Sequence, residues 1–153
     1  MQSSFRNGSY KGYEVQLRVR RAGRHREPVQ IKGADDVYRF MGDLAHESAE
    51  YVYGLFLDTQ HQVQDVYLVG KGSCSSSLVH PAELYKPALL TNSPAFMMVH
   101  NHPSGDPRPS TEDEALVKRL LAGSQLLGLS FLDSLIVGDG RYFSFQEVGA
   151  IKR

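Results

Sequence analysis

An α+β domain is what this sequence predicts, on three observations. Tyr13, Val15, Leu17 and Val19 alternate with Glu14, Gln16, Arg18 and Arg20, the period-2 pattern of a half-exposed strand. Ser110 is followed by apolar residues at Ala115, Leu116, Leu120, Leu121 and Leu127, a helical pattern that Gly128 suits as a C-terminal cap. Leu129 to Val137 and Tyr142 to Phe145 flank Gly138-Asp139-Gly140, a hairpin turn between two strands. Hairpins and helices mixed along one chain of 153 residues predict a single domain with a substantial core.

The remaining elements follow in order. Residues 21–28 are polar and basic and read as a loop, with Val29-Gln30-Ile31 as a short return strand. Asp35 or Asp36 is expected to cap a helix whose apolar positions include Val37, Phe40, Met41, Leu44 and Ala45. Glu50 to Leu57 reads as a mostly apolar strand, Asp58 to Gln62 as a turn, and Val63 to Val69 as the antiparallel return. Gly70 to Ser77 is small and polar, hence a loop. His80-Pro81 opens a second helix toward Leu90, which Pro87 should kink or shorten because it lacks an N–H. Ala95 to His100 is a buried strand by its run of Ala, Phe, Met, Met and Val, and a Pro- and Gly-rich loop fills residues 103–109. The predicted order is β-β-α-β-β-α-β-α-β-β, without internal repeats.

Composition narrows the class. Hydrophobic residues make up 41% and charged residues 22%, as in ordinary soluble domains. No stretch approaches the length of a membrane span, and the polar N-terminus lacks a signal-peptide core, so a cytoplasmic protein without membrane contact is expected. Cys74 is the single cysteine, which excludes an internal disulfide. Charge is unevenly spread. Residues 1–33 carry eight Lys/Arg against two acids, and residues 34–153 carry nine against fifteen. The expected organisation is therefore a basic N-terminal β arm (1–33) followed by the main domain (34–153). No aromatic-basic nucleic-acid motif accompanies the charge. The arm is expected to pack on its own acidic body or to form a homo-oligomer with a twin subunit, in preference to contacting DNA.

The chemistry concentrates in His100-Asn101-His102-Pro103-Ser104-Gly105, followed by Ser110 and Asp113. Two histidines one residue apart point the same way from a strand, and Pro103 favours extended backbone at His102. Asp113, at the start of the next helix, is the third candidate ligand. Two imidazoles and a carboxylate are a recurrent set for a catalytic Zn2+ that keeps one position open for water. Hydrolysis also needs a base outside the metal's own ligands, for which Glu50 is the candidate, with Glu47 a turn earlier as its competitor. Ser110 is the candidate oxyanion donor. Ser110 and Asp113 equally spell Ser-x-x-acid, a helix-start pattern like a capping box. His-Asn-His shares its letters with a nuclease motif, but there the named residues are spread over a hairpin and helix, and the adjacency here is coincidental.

His100-Asn101-His102-Pro103-Ser104-Gly105-Asp106-Pro107 with Pro109-Ser110 and Asp113 resembles the JAMM motif of JAB/MPN metalloproteases, and most closely the RadC-like branch. The resemblance covers about residues 35–149 and includes Phe56-Leu57-Asp58, Val79-His80-Pro81, Leu132-Asp133 and Ser144-Phe145. It implies a curved mixed β-sheet flanked by helices, the JAB/MPN, cytidine-deaminase-like fold. It implies Zn2+ held by His100, His102 and Asp113, Glu50 at the family's upstream glutamate, and Ser110 supporting the transition state. The activity implied is that of a zinc metallopeptidase or isopeptidase acting on a protein or peptide substrate. The alternative is a DNA-associated RadC-type repair factor or metal-dependent nuclease. Ser134 stands where RadC-like chains often carry histidine, and Ala82 where arginine is common; both departures bear on substrate contacts and not on the metal motif. No counterpart of the helix-hairpin-helix DNA-binding region of full-length RadC proteins occurs in this sequence, nor a long insertion of the kind that seats ubiquitin in deubiquitinating relatives.

Overall fold

In a computed structural model of the chain, residues 29–72 and 79–152 are described. The predicted strand at residues 13–20, the basic arm as a whole except its last few residues, and most of the predicted loop holding Cys74 lie outside the described residues. The elements are α1 (Ala34–Met41), a 3₁₀ turn (Gly42–His46), β1 (Glu50–Leu57), β2 (Val63–Gly72), α2 (Ala82–Leu90), β3 (Ala95–Asn101), α3 (Thr111–Leu127), β4 (Ser130–Gly138) and β5 (Arg141–Ser144). The five strands form one mixed sheet in the order β2-β1-β3-β4-β5. β3 and β4 run parallel and the other neighbours antiparallel. A parallel pair needs a long crossover, and α3 supplies it. The α+β expectation therefore holds, with three helices flanking a mixed sheet.

Each face of the sheet buries its own apolar cluster. On one face Val52, Phe56, Phe96, Met98 and Ile136 meet Leu84 and Ala88 of α2 and Leu116, Val117 and Leu120 of α3. On the other, Leu55, Leu57, Met97, Val99, Leu135 and Val137 meet Ile31, Leu44, and Ala34 and Val37 of α1. Successive residues of a strand point to opposite faces, so β3, covered on both, is buried from end to end. That explains why its sequence is a continuous apolar run.

Several local expectations needed correction. The N-cap of α1 is Gly33, not Asp35 or Asp36. Asp36 instead reaches back to accept the Lys32 N–H at 2.9 Å, and Asp35 accepts from the Tyr142 hydroxyl. The helix also ends at Met41, so Leu44 and Ala45 fall in the 3₁₀ turn. Val29 to Ile31 makes an isolated antiparallel bridge, Gln30 to Gln62, rather than a strand. Pro87 lies inside α2, which nevertheless runs to Leu90, and the Pro87 carbonyl accepts from Thr91 N–H. On α3 the buried stripe is Asp113, Leu116, Val117, Leu120 and Ser124, while the predicted apolar positions Ala115 and Leu127 face solvent. That stripe carries a carboxylate inward at the first turn.

No helix among the described residues is long and apolar enough to cross a membrane.

Candidate metal centre

His100 is the penultimate residue of β3 and His102 follows its end, so alternation turns both imidazoles toward α3. His100 is fully buried and the His102 side chain is about one-fifth exposed. Past the strand, His102 N–H still donates to the Val137 carbonyl, keeping it in line with β4. The loop then turns through Gly105, whose φ of 77° is a left-handed conformation that glycine adopts without strain. Gly138 lets this loop close on the sheet: a Cβ there would lie 2.5 Å from the Gly105 carbonyl oxygen. His102 is further fixed by its Nδ1, 2.9 Å from the Asp106 carbonyl, which leaves Nε2 free to face the site.

Asp113 arrives from the first turn of α3. Ser110 is the N-cap: its hydroxyl accepts from the Asp113 N–H, and the Asp113 carboxylate accepts from the Ser110 N–H at 2.7 Å, a complete capping box. The Ser110 hydroxyl also donates to Asp113 Oδ2 at 2.7 Å. Capping and carboxylate aiming are thus one device. Ser110→Ala removes both hydroxyl bonds, leaving the backbone N–H of residue 110 to hold Asp113, and is expected to cost about 1 kcal/mol of stability, with a range up to about 2. Urea unfolding of metal-free protein measures it, and an unchanged midpoint would show that the cap contributes nothing.

The three side chains converge. Their ligand atoms all lie within 4.8 Å of one another, with His100 Nε2 3.3 Å from His102 Nε2, 3.0 Å from Asp113 Oδ1, and His102 Nε2 3.5 Å from Asp113 Oδ2. A tetrahedral zinc with bonds of about 2.0–2.1 Å to nitrogen sets its ligand atoms roughly 3.3–3.4 Å apart. The 3.3 Å between His100 Nε2 and His102 Nε2 fits that edge. Asp113 Oδ1 is buried and has no hydrogen-bond partner among the described residues, with His100 Nε2 3.0 Å away. A buried carboxylate oxygen without a hydrogen-bond partner, beside an imidazole nitrogen, is costly alone and satisfied by a cation. The donor set therefore fits a divalent transition metal, zinc among them.

The electrostatics agree. Burial alone would push the Asp113 carboxyl up, but His100, His102 and the Ser110 hydroxyl outweigh it and hold the group well below the usual carboxylate range. The Asp113 carboxylate raises the His102 pKa against the opposing effect of burial. Glu50, the first residue of β1, shares a face with Val52, which pairs directly with His100. Glu50 lines a cleft of about 300 Å³ with Ser48, Ala49, Gly72 and Pro103. Burial pushes its carboxyl above the ordinary value, His100 and His102 oppose, and Asp113 adds to the rise. Glu50 thus lies within electrostatic reach of all three candidate ligands. Glu47, the competitor, sits in the turn before β1 and is not among the cleft residues.

One residue of the centre had no role in the sequence reading. Asn101, between the two histidines, is fully buried and bonds through its side chain to the main chain on either side of Glu50. The motif's letters alone hold no sign of this, because both partners lie some fifty residues away.

Comparison with known proteins places these features in a family. The RadC-like JAB domain matches residues 31–150. A UPF0758 protein of Methanosarcina mazei is 43% identical over 124 residues, which is 80% of this chain and 54% of that protein. One from Symbiobacterium thermophilum is 41% identical over 116 residues, 75% of this chain and 50% of its own length. One from Desulfitobacterium hafniense is 40% identical over 124 residues, covering 81% and 55%. The chain spans about half the length of the curated relatives it matches.

Proposed function

This chain belongs to the RadC-like JAB domain family, and from that premise we propose that it is a zinc-dependent hydrolase, a metallopeptidase or isopeptidase acting on a protein or peptide substrate. The observation that carries the reading is the convergence of His100, His102 and Asp113 with Glu50 beside them but outside the cluster. A structural zinc site closes all four positions with protein ligands, whereas three ligands leave one open.

His100 Nε2, His102 Nε2 and the Asp113 carboxylate would hold the metal. When bound, zinc acts as a Lewis acid and brings the pKa of its water to about 7. Glu50 takes the proton from the attacking water at its carboxylate and returns it to the leaving nitrogen. Its raised pKa suits that exchange, because a base works best when its pKa lies nearer the working pH. The cleft beside Glu50, lined also by Gly72 and Pro103, is the place assigned to the substrate. Ser110 is assigned to the developing oxyanion; to serve there its hydroxyl must turn from Asp113 Oδ2, giving up one charge-assisted hydrogen bond.

The test is zinc-loaded protein offered a peptide library, isopeptide-linked peptides and labelled DNA in parallel. Cleavage of a peptide or isopeptide bond that stops on chelation and returns with zinc is the expected result. Metal-dependent cutting of DNA with every peptide intact would replace this reading with the nuclease one.

A further inference from the structure

The antiparallel ladder between β1 and β3 runs from Leu57–Ala95 up to Val52–His100. Beyond it, a side chain takes over from the main chain. Tyr51 N–H donates to Asn101 Oδ1 at 2.8 Å, and Asn101 Nδ2 donates to the Ala49 carbonyl at 3.0 Å. These two bonds bracket Glu50. On its other side Glu50 pairs with Gly72 of β2. The backbone that carries Glu50 is thus gripped from both sides, while its side chain stays on the face of Val52 and His100. A carboxamide offers a donor and an acceptor on two separate atoms, whereas a carboxylate has no donor and an aliphatic side chain has neither. The Asn101 side chain is fully buried, while its partners Ala49 and Tyr51 are partly exposed.

We infer that Asn101 is a positioning residue for Glu50. It sits between the two candidate metal ligands and ties the glutamate's strand to the strand that carries them, so that carboxylate and metal site keep one fixed separation. This rests on the reading of Glu50 as proton acceptor. A residue that only stabilised the sheet would leave the ionisation behaviour of the metal site unchanged when replaced.

Cobalt(II) loaded in place of zinc tests this without a substrate, since its visible absorption changes with pH as the site ionises. Wild type, Glu50→Gln, Asn101→Ala and the milder Asn101→Ser are compared, each with cobalt content and amide hydrogen exchange measured. Both Asn101 variants should bind cobalt as wild type does and shift the pH midpoint in the same direction as Glu50→Gln. The Tyr51 amide should exchange about five- to tenfold faster, the effect of one lost hydrogen bond. Should Asn101→Ala fail to fold, Asn101→Ser carries the same comparison. A wild-type midpoint in the folded Asn101 variants, beside a shifted one in Glu50→Gln, overturns the inference. So does cobalt loss from the Asn101 variants, which would make the residue a support for the ligands. If Glu50→Gln leaves the midpoint in place, the proton-acceptor role of Glu50 fails, and the inference falls with it.

Discussion

Glu50→Gln is expected to bind one zinc per chain as wild type does and to lose hydrolysis by about 10²–10⁴-fold, the usual contribution of a positioned general base. The substitution keeps the size and reach of the side chain and removes its charge and its ability to accept a proton. Glu50 stands outside the cluster formed by His100, His102 and Asp113, so the metal should not depend on it. Elemental analysis and an activity assay on the same preparation check both halves. Zinc loss in this variant would make Glu50 a ligand and refute the assigned role. Full activity with full zinc would return the base to Glu47 or to another group.

His102→Ala is expected to have the opposite pattern: metal content falls from one per chain to near zero, and activity goes with it. The cluster offers three protein ligands, and removing His102 leaves Asp113 Oδ2 without its imidazole neighbour at 3.5 Å. Stability supplies a second readout. A ligand at a thousandfold excess over its dissociation constant stabilises the folded state by about 4 kcal/mol. Wild type should therefore melt at a clearly higher temperature with zinc than with chelator, and His102→Ala should melt alike in both. A full complement of zinc in the variant, or a zinc-dependent melting point equal to that of wild type, would contradict the ligand assignment.

What the sequence determined by itself was whatever its short-range signals encode. The His-x-His-Pro run placed two imidazoles on one side of a strand end, and β3 shows them there. Ser110 with Asp113 marked a helix start, and the capping box of α3 realises it. Gly128 closes α3 in a left-handed cap, and Asp139-Gly140 joins β4 to β5. Each of these is decided within a few residues, by backbone preference or by side chains that reach their own neighbours. The sequence pattern also yielded the strand beginning at Glu50, although nothing local says what that strand lies beside.

Tertiary structure decided the rest. The pairing of β1 with β3 brings Glu50 within electrostatic reach of His100, and burial there, not the residue type, raises its carboxyl pKa. Of the apolar positions expected on α3, Leu116 and Leu120 are buried, whereas Ala115 and Leu127 lie in solvent and Asp113 joins the inner stripe. A hydrophobic count cannot foresee a carboxylate whose burial is repaid by two imidazoles and a hydroxyl from other positions. Asn101 is the sharpest case. Its partners, Tyr51 and Ala49, are 50 and 52 residues away, and no periodicity links residues so separated. Local patterns report the few residues that share a turn or a pleat. Contacts across the sheet depend on strand order and register, which the whole chain settles together as it buries its two apolar faces.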